Sequence, residues 1–98
     1  MLFKFPKDDK NFSWTSHVKR KMLYYRLSEQ KIKTILKNPS RKEEGIAPNT
    51  SAFMKRNDTP KRKEEMWLMF QKLGRKLRII SAWRYPGTTP VGKKITIP

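Results

Sequence analysis

The hydrophobic period of this chain changes at Asn38-Pro39, and that change constrains the fold more than any other feature. Before it, apolar residues recur every three to four positions: Val18, Met22 and Tyr25 in one run, Ile32, Ile35 and Leu36 in the next. That spacing predicts two amphipathic helices, over about 15–26 and 28–37. Thr15 or Ser16 can cap the first and Ser28 the second. Asn38-Pro39 ends the pair, because a residue before proline is pushed out of the α region. After it, short runs rich in aromatic and β-branched residues alternate with turn formers. "RKEEGIA" and "SAFMKR" read as two strands, and "KEEMWLMFQKL" and "KLRIISAWRY" as a hairpin turning at Leu73-Gly74-Arg75.

The chain therefore reads as one α+β domain over 1–98. It has an extended lead-in over 1–13, with a strand-like pairing expected at Leu2 to Phe5, and a helical pair over 14–38. Antiparallel strands fill 40–85, and a Pro/Gly-rich tail follows over 86–98, with "KITI" packing weakly or pairing at an edge. The expected architecture is two N-terminal helices on one face of a three- to four-stranded antiparallel sheet. In the last strand, Leu77, Ile79, Ser81 and Trp83 are expected to share one face, and Arg78, Ile80, Ala82 and Arg84 the other. Val18, Met22, Tyr25, Trp67 and Trp83 are read as core. The acidic neighbours Glu43-Glu44 and Glu64-Glu65 point to opposite faces of their strands, so neither pair converges on one site. They are expected on the sheet exterior or in salt bridges.

Charge narrows the partners. The chain of 98 residues has 24 Lys and Arg against 8 Asp and Glu, a formal net charge of +16. Such a surface concentrates polyanions, so nucleic acid is the first expected partner. Cysteine is absent, which removes disulfides and thiolate chemistry. No apolar run reaches the roughly 20 residues that span a bilayer. The start "MLFKFPKDDKNF" lacks the apolar stretch of a signal peptide, so a cytoplasmic protein without membrane contact is expected.

His17 is the only histidine, and the only side chain whose ordinary pKa suits proton transfer near neutrality. Arg20 and Lys21 follow it by three and four residues, on adjacent turns of the same helix. Metal-independent RNA cleavage needs a base for the 2′-OH, cations for the charge on phosphorus and an acid for the leaving oxygen. His17 and Arg84 are the candidate catalytic pair, with no metal and no cofactor. Arg20, Lys21, Arg26 and Arg78 are candidate phosphate contacts, and Tyr24 and Tyr85 candidate stacking residues. Equally, a lone histidine near a helix start can pack its ring on Trp14 or cap the turn.

The spacing His17, Lys21-Met22, Arg26-Leu27-Ser28 resembles the motif H-x3-R-M-x3-R-G-[IL]-S of a family of small prokaryotic domains, in a form without the glycine. Asn38-Pro39 and Gly45 fall where that family ends its second helix and places a glycine before the strands. The family is similar to the BrnT and RelE group of toxin ribonucleases from toxin–antitoxin modules, and the likeness spans roughly residues 14–85. Lys21 stands where the family prefers arginine, which keeps the charge but loses the planar fork. The resemblance implies a RelE/BrnT-like fold and an endoribonuclease acting on RNA, alone or at the ribosome, restrained by an acidic antitoxin. A non-catalytic RNA- or DNA-binding module, or a basic domain whose partner is another protein, fits the same charge.

Overall fold

The computed structural model describes residues 3–92 and 94–95. The fold is α+β, with two helices and a five-stranded mixed sheet. The elements are β1 (Phe12–Trp14), α1 (Ser16–Tyr25), α2 (Glu29–Lys37), β2 (Arg41–Glu44), β3 (Thr50–Arg56), β4 (Glu64–Leu73) and β5 (Lys76–Pro86). Both helices lie where the apolar period places them. No helix among the described residues is long and apolar enough to cross a membrane.

The helix ends follow from local chemistry. Thr15 caps α1, its hydroxyl accepting from the Val18 N–H at 3.1 Å, and Ser28 caps α2 by accepting from Lys31 N–H at 3.2 Å. At the other end of α1, the Leu27 N–H donates to the Met22 carbonyl and the Arg26 N–H to the Leu23 carbonyl. This is a complete Schellman motif, with the buried Leu27 packed near the buried Met22. Arg26 sits at its left-handed position, φ 58° and ψ 46°, where glycine is the usual residue. In α2, Glu29 and Lys33 pair at 2.7 Å one turn apart.

The strand order is β1-β5-β4-β3-β2. Strands β2 to β5 form the antiparallel meander, and the β4–β5 hairpin turns through Gly74 at φ 61°. The expected three or four antiparallel strands are corrected in one respect. A fifth, β1, runs parallel to β5, with Phe12 opposite Leu77 and Trp14 opposite Ile79. Three residues are too few to show an alternation, and what holds them is side-chain capping of the lead-in. Asp9 accepts from the Asn11 and Phe12 N–H groups, and Asp8 from that of Trp14, each at 2.8 Å. The pairing expected at Leu2 to Phe5 is not formed at Phe3–Phe5, which have no regular structure, and Leu2 lies outside the described residues.

A second correction concerns β5. Met69 pairs with Ser81 but Phe70 with Ile79, so Ile80 is an extra residue in a β-bulge. The bulge breaks the strict alternation. Leu77 and Ile79 face the helices, whereas Trp83 faces the opposite side. Strand β1 ends beside the bulge, and Thr15 bonds to the carbonyls of Ile79 and Ile80 before the chain enters α1.

The sheet carries a core on each face. The larger one packs Val18, Met22, Leu27, Ile32 and Ile35 of the helical layer on Trp14, Met66, Leu68, Phe70, Ile79 and Ala82 of the sheet. The second unites Ala52, Met54, Met69, Trp67 and Trp83, the two indoles stacked 5.9 Å apart at 7°. Half-buried Tyr25 touches both clusters, which places the end of α1 at the β5 edge. The acidic pair at 64–65 is also corrected. Both form salt bridges, Glu64 with Arg84 and Arg62 and Glu65 with Arg56 and Arg41, but Glu65 is fully buried rather than exterior, because residues 88–92 cross that face and hydrogen-bond to it. Beyond them, Ile95 forms a parallel bridge with Gly45; the rest of "KITI" lies outside the described residues except Lys94.

Candidate nucleic-acid interface

Helix α1 turns Val18 and Met22 into the core, and its remaining surface contains no acidic residue. Positions 17, 20, 21 and 24 fall on one stripe of that surface by helical spacing. The structure therefore brings together four of the candidate residues: His17, Arg20, Lys21 and Tyr24. Tyr24 is 77 % exposed, and its ring meets Tyr25 edge-on at 4.8 Å. Lys21 Nζ lies 5.9 Å from the centre of the Tyr25 ring, a cation–π distance that keeps its charge along the helix.

His17 anchors the stripe at its N-terminal end. Its Nε2 is 3.0 Å from the hydroxyl of Ser81, a buried residue beside the β5 bulge. Burial, and then the positive charges of Lys21 and Arg20, hold the imidazole pKa below its ordinary 6.5. The ring is accordingly neutral at pH 7 and can accept a proton. Sequence reasoning missed Ser81. Its signal was a serine inside the apolar run "IISAW", since a buried hydroxyl needs a partner.

Arg84 is placed elsewhere and otherwise occupied. Its Nε donates to the Tyr25 carbonyl at 2.7 Å, Nη2 to the Arg26 carbonyl at 3.2 Å and Nη1 to Glu64 at 2.6 Å. These bonds close the C-terminal end of α1. Tyr25 is eight residues beyond His17, about 12 Å along the helix axis. The structure thus does not join His17 and Arg84 in one pocket. Burial opposes ionisation of Glu64, but hydrogen bonds from Asn57 and Arg84 outweigh it and hold its pKa below 4.5.

The other candidates are dispersed. Arg26 is exposed at the left-handed turn after α1. Arg78 and Tyr85 lie on β5 opposite Gln71 and Glu65, on the sheet face away from the helices. A cleft of about 730 Å³ at the β2–β3 turn, lined by Glu44–Ser51, Gln71–Leu73 and Lys94, includes none of these residues.

The electrostatics of the whole surface follow from where the few carboxylates go. Asp8 and Asp9 accept backbone N–H groups near β1. Glu29, Glu43, Asp58, Glu64 and Glu65 pair with Lys33, Arg41, Arg56, Arg62 and Arg84. Among the described residues, Arg20, Lys21 and Arg26 have no carboxylate partner, so the α1 stripe carries an unopposed positive field. Compared with known protein families, curated proteins and solved structures, the chain matches none.

Proposed function

We propose that this protein is an RNA-binding module that holds a single strand along α1. Arg20 and Lys21 neutralise phosphates, Tyr24 stacks on a base, and Arg26 extends the cationic track past the helix end. The observation that carries this reading is the stripe itself: two cations without carboxylate partners beside an aromatic ring 77 % exposed to solvent. Cations that follow the backbone plus an accessible aromatic face are what single-strand binding uses. A cytoplasmic setting and a RelE/BrnT-like fold belong to the same proposal. The test is fluorescence anisotropy with labelled single-stranded RNA across a salt series. Affinity is expected to fall with a log–log slope of roughly −0.7 per phosphate neutralised. A slope near zero, or no binding at about 50 mM salt, overturns the reading in favour of a protein partner.

A second reading has one observation in its favour. The depressed pKa of His17 leaves a neutral imidazole beside two cations, a requirement of metal-independent RNA cleavage. On that reading the protein is a toxin-like endoribonuclease, and an acidic antitoxin-like partner masks the α1 stripe. It is the weaker of the two because Arg84, the intended phosphate clamp, spends three of its donors on α1 and Glu64.

A further inference from the structure

The sheet face turned away from the helices carries an arrangement that RNA binding does not use. The buried Glu65 carboxylate accepts from Trp67 Nε1 at 2.9 Å and from Arg56 Nη1 at 3.1 Å, both within the sheet. Its remaining hydrogen bonds come from the segment after β5: the Thr89 N–H at 3.2 Å and the Thr89 hydroxyl at 2.9 Å. Arg41 lies over the Trp67 ring at 5.1 Å and donates to two successive carbonyls, Thr89 at 3.0 Å and Pro90 at 3.1 Å. Glu43 orients Arg41 through Nε at 3.0 Å and accepts the Gly92 N–H at 3.3 Å. Arg56 Nη1 also reaches the Thr88 hydroxyl at 3.4 Å.

Residues 88–92 are thus held through backbone groups and two hydroxyls rather than by apolar side chains. Thr88, Pro90 and Val91 are exposed. Pro90 has no N–H and so needs no acceptor. Gly87 precedes the segment and Gly92 ends it, at φ 98° and 85°, a backbone region that other residues rarely adopt.

Charge says what such a groove can take. On a chain of +16, it sets Arg41 and Arg56 beside Glu43, Asp58 and Glu65. The cations are balanced, so the groove has little to offer a polyanion. Its donors and acceptors match an uncharged backbone, the chemistry by which grooves capture peptide segments. We propose that this groove is a polypeptide-docking site, filled in cis by residues 88–92 and open to a partner protein's uncharged segment with a hydroxyl residue before a proline. The inference does not depend on RNA binding, since it uses the opposite face of the sheet.

The test titrates the full-length protein with a synthetic peptide of sequence 86–92, reading the fluorescence of Trp67 and Trp83. In wild type the tethered segment competes at an effective concentration of about millimolar or above, so the peptide binds weakly. Thr89→Val removes the hydroxyl donated to a charged acceptor and weakens the tethered segment. The peptide is then expected to bind about tenfold tighter or more. A peptide with valine at the same position is expected not to bind, and Thr89→Ser is expected to behave like wild type. No saturable signal in the Thr89→Val variant, or equal signals from both peptides, overturns the proposal. So does a concentration-dependent dimer that the peptide fails to dissociate, which would mean segment exchange between copies. A measurement on wild type guards against misfolding of the variant. Excess peptide should shift the Thr89 amide resonance toward its displaced position, and an unmoved resonance overturns the proposal as well.

Discussion

Arg84 Nε donates to the carbonyl oxygen of Tyr25 at 2.7 Å, across 59 residues of sequence. The bond ties the last turn of α1 to β5, and the same guanidinium also holds Arg26 and Glu64. A cation at a helix C-terminus satisfies carbonyls that have no partner within the helix. The arginine that looks from sequence like a phosphate clamp therefore fastens α1 to the sheet.

Its replacement should reveal that role. Arg84→Ala removes charge-assisted bonds at a mostly buried position, leaving Glu64 to Asn57 and Arg62, at a cost of about 2–3 kcal/mol. For a domain of this size that corresponds to a fall in Tm on the order of 10 °C. RNA affinity of the folded fraction should change by less than about threefold, because many other cations remain. Thermal melts and anisotropy on the same samples check both. An unchanged Tm with a large loss of affinity would return Arg84 to phosphate binding.

Arg26 sets stability against binding. At φ 58° its Cβ is strained, and glycine there relieves the strain while loosening the unfolded chain. The net expectation for Arg26→Gly is a gain of about 0.5–1 kcal/mol. If Arg26 continues the phosphate track, the same variant loses about one unit of phosphate neutralisation and its salt slope becomes shallower by roughly 0.7. Chemical denaturation and the salt series read the two effects separately. A variant less stable than wild type would show that Arg26 makes a stabilising contact stronger than the strain.

The helices and the antiparallel meander were legible because their causes are local. Thr15 and Ser28 cap, Pro39 stops, Gly74 turns, and the apolar periods do the rest. What was not legible depends on distant residues. Strand β1 exists because β5 offers it an edge and Asp8 and Asp9 hold its amides. The Ile80 bulge, which separates Ile79 from Trp83 across the sheet, leaves no mark in an apolar run. The burial of Glu65 depends on Thr89, 24 positions later, and a charged residue beside another charged residue reads as surface. The candidate site was half legible. Helical spacing groups His17, Arg20, Lys21 and Tyr24, whereas the fates of Arg84 and Ser81 depend on how α1 meets β5.

The pKa of His17 makes a prediction about stability in mild acid. Its folded value lies below 6.5, first because burial disfavours the charged ring and then because Lys21 and Arg20 repel it. The unfolded chain then binds the proton more readily than the folded one. Stability should be insensitive to this group above pH 6.5 and should decline as pH falls from there toward the folded pKa. The contribution of Glu64 is lost only as pH falls below its ordinary 4.5, so that window opens at lower pH than the one for His17. Urea midpoints between about pH 5 and 7.5 should show the slope in wild type and not in His17→Asn. A slope that survives in His17→Asn would assign it to another group.

The last prediction separates binding from cleavage at His17. The imidazole bonds to buried Ser81, so His17→Ala strands a hydroxyl and costs about 1–3 kcal/mol of stability. Assays therefore belong well below the lowered Tm. There, RNA affinity should stay within about threefold of wild type, since a neutral ring contributes little beside the unpaired cations of α1. On the RNA-binding reading, end-labelled RNA incubated with wild type stays intact, with or without chelator. The nuclease reading demands the opposite: cleavage by wild type that resists chelator and drops about 10²–10⁴-fold in His17→Ala, the range for positioned proton transfer. Ser81→Ala divides the remaining possibilities. It keeps the imidazole but frees its Nε2, so a catalytic His17 should lose rate through misplacement while keeping RNA affinity. If wild type cuts and both variants cut equally well, His17 is an anchor for α1 and the reactive group lies elsewhere on the chain.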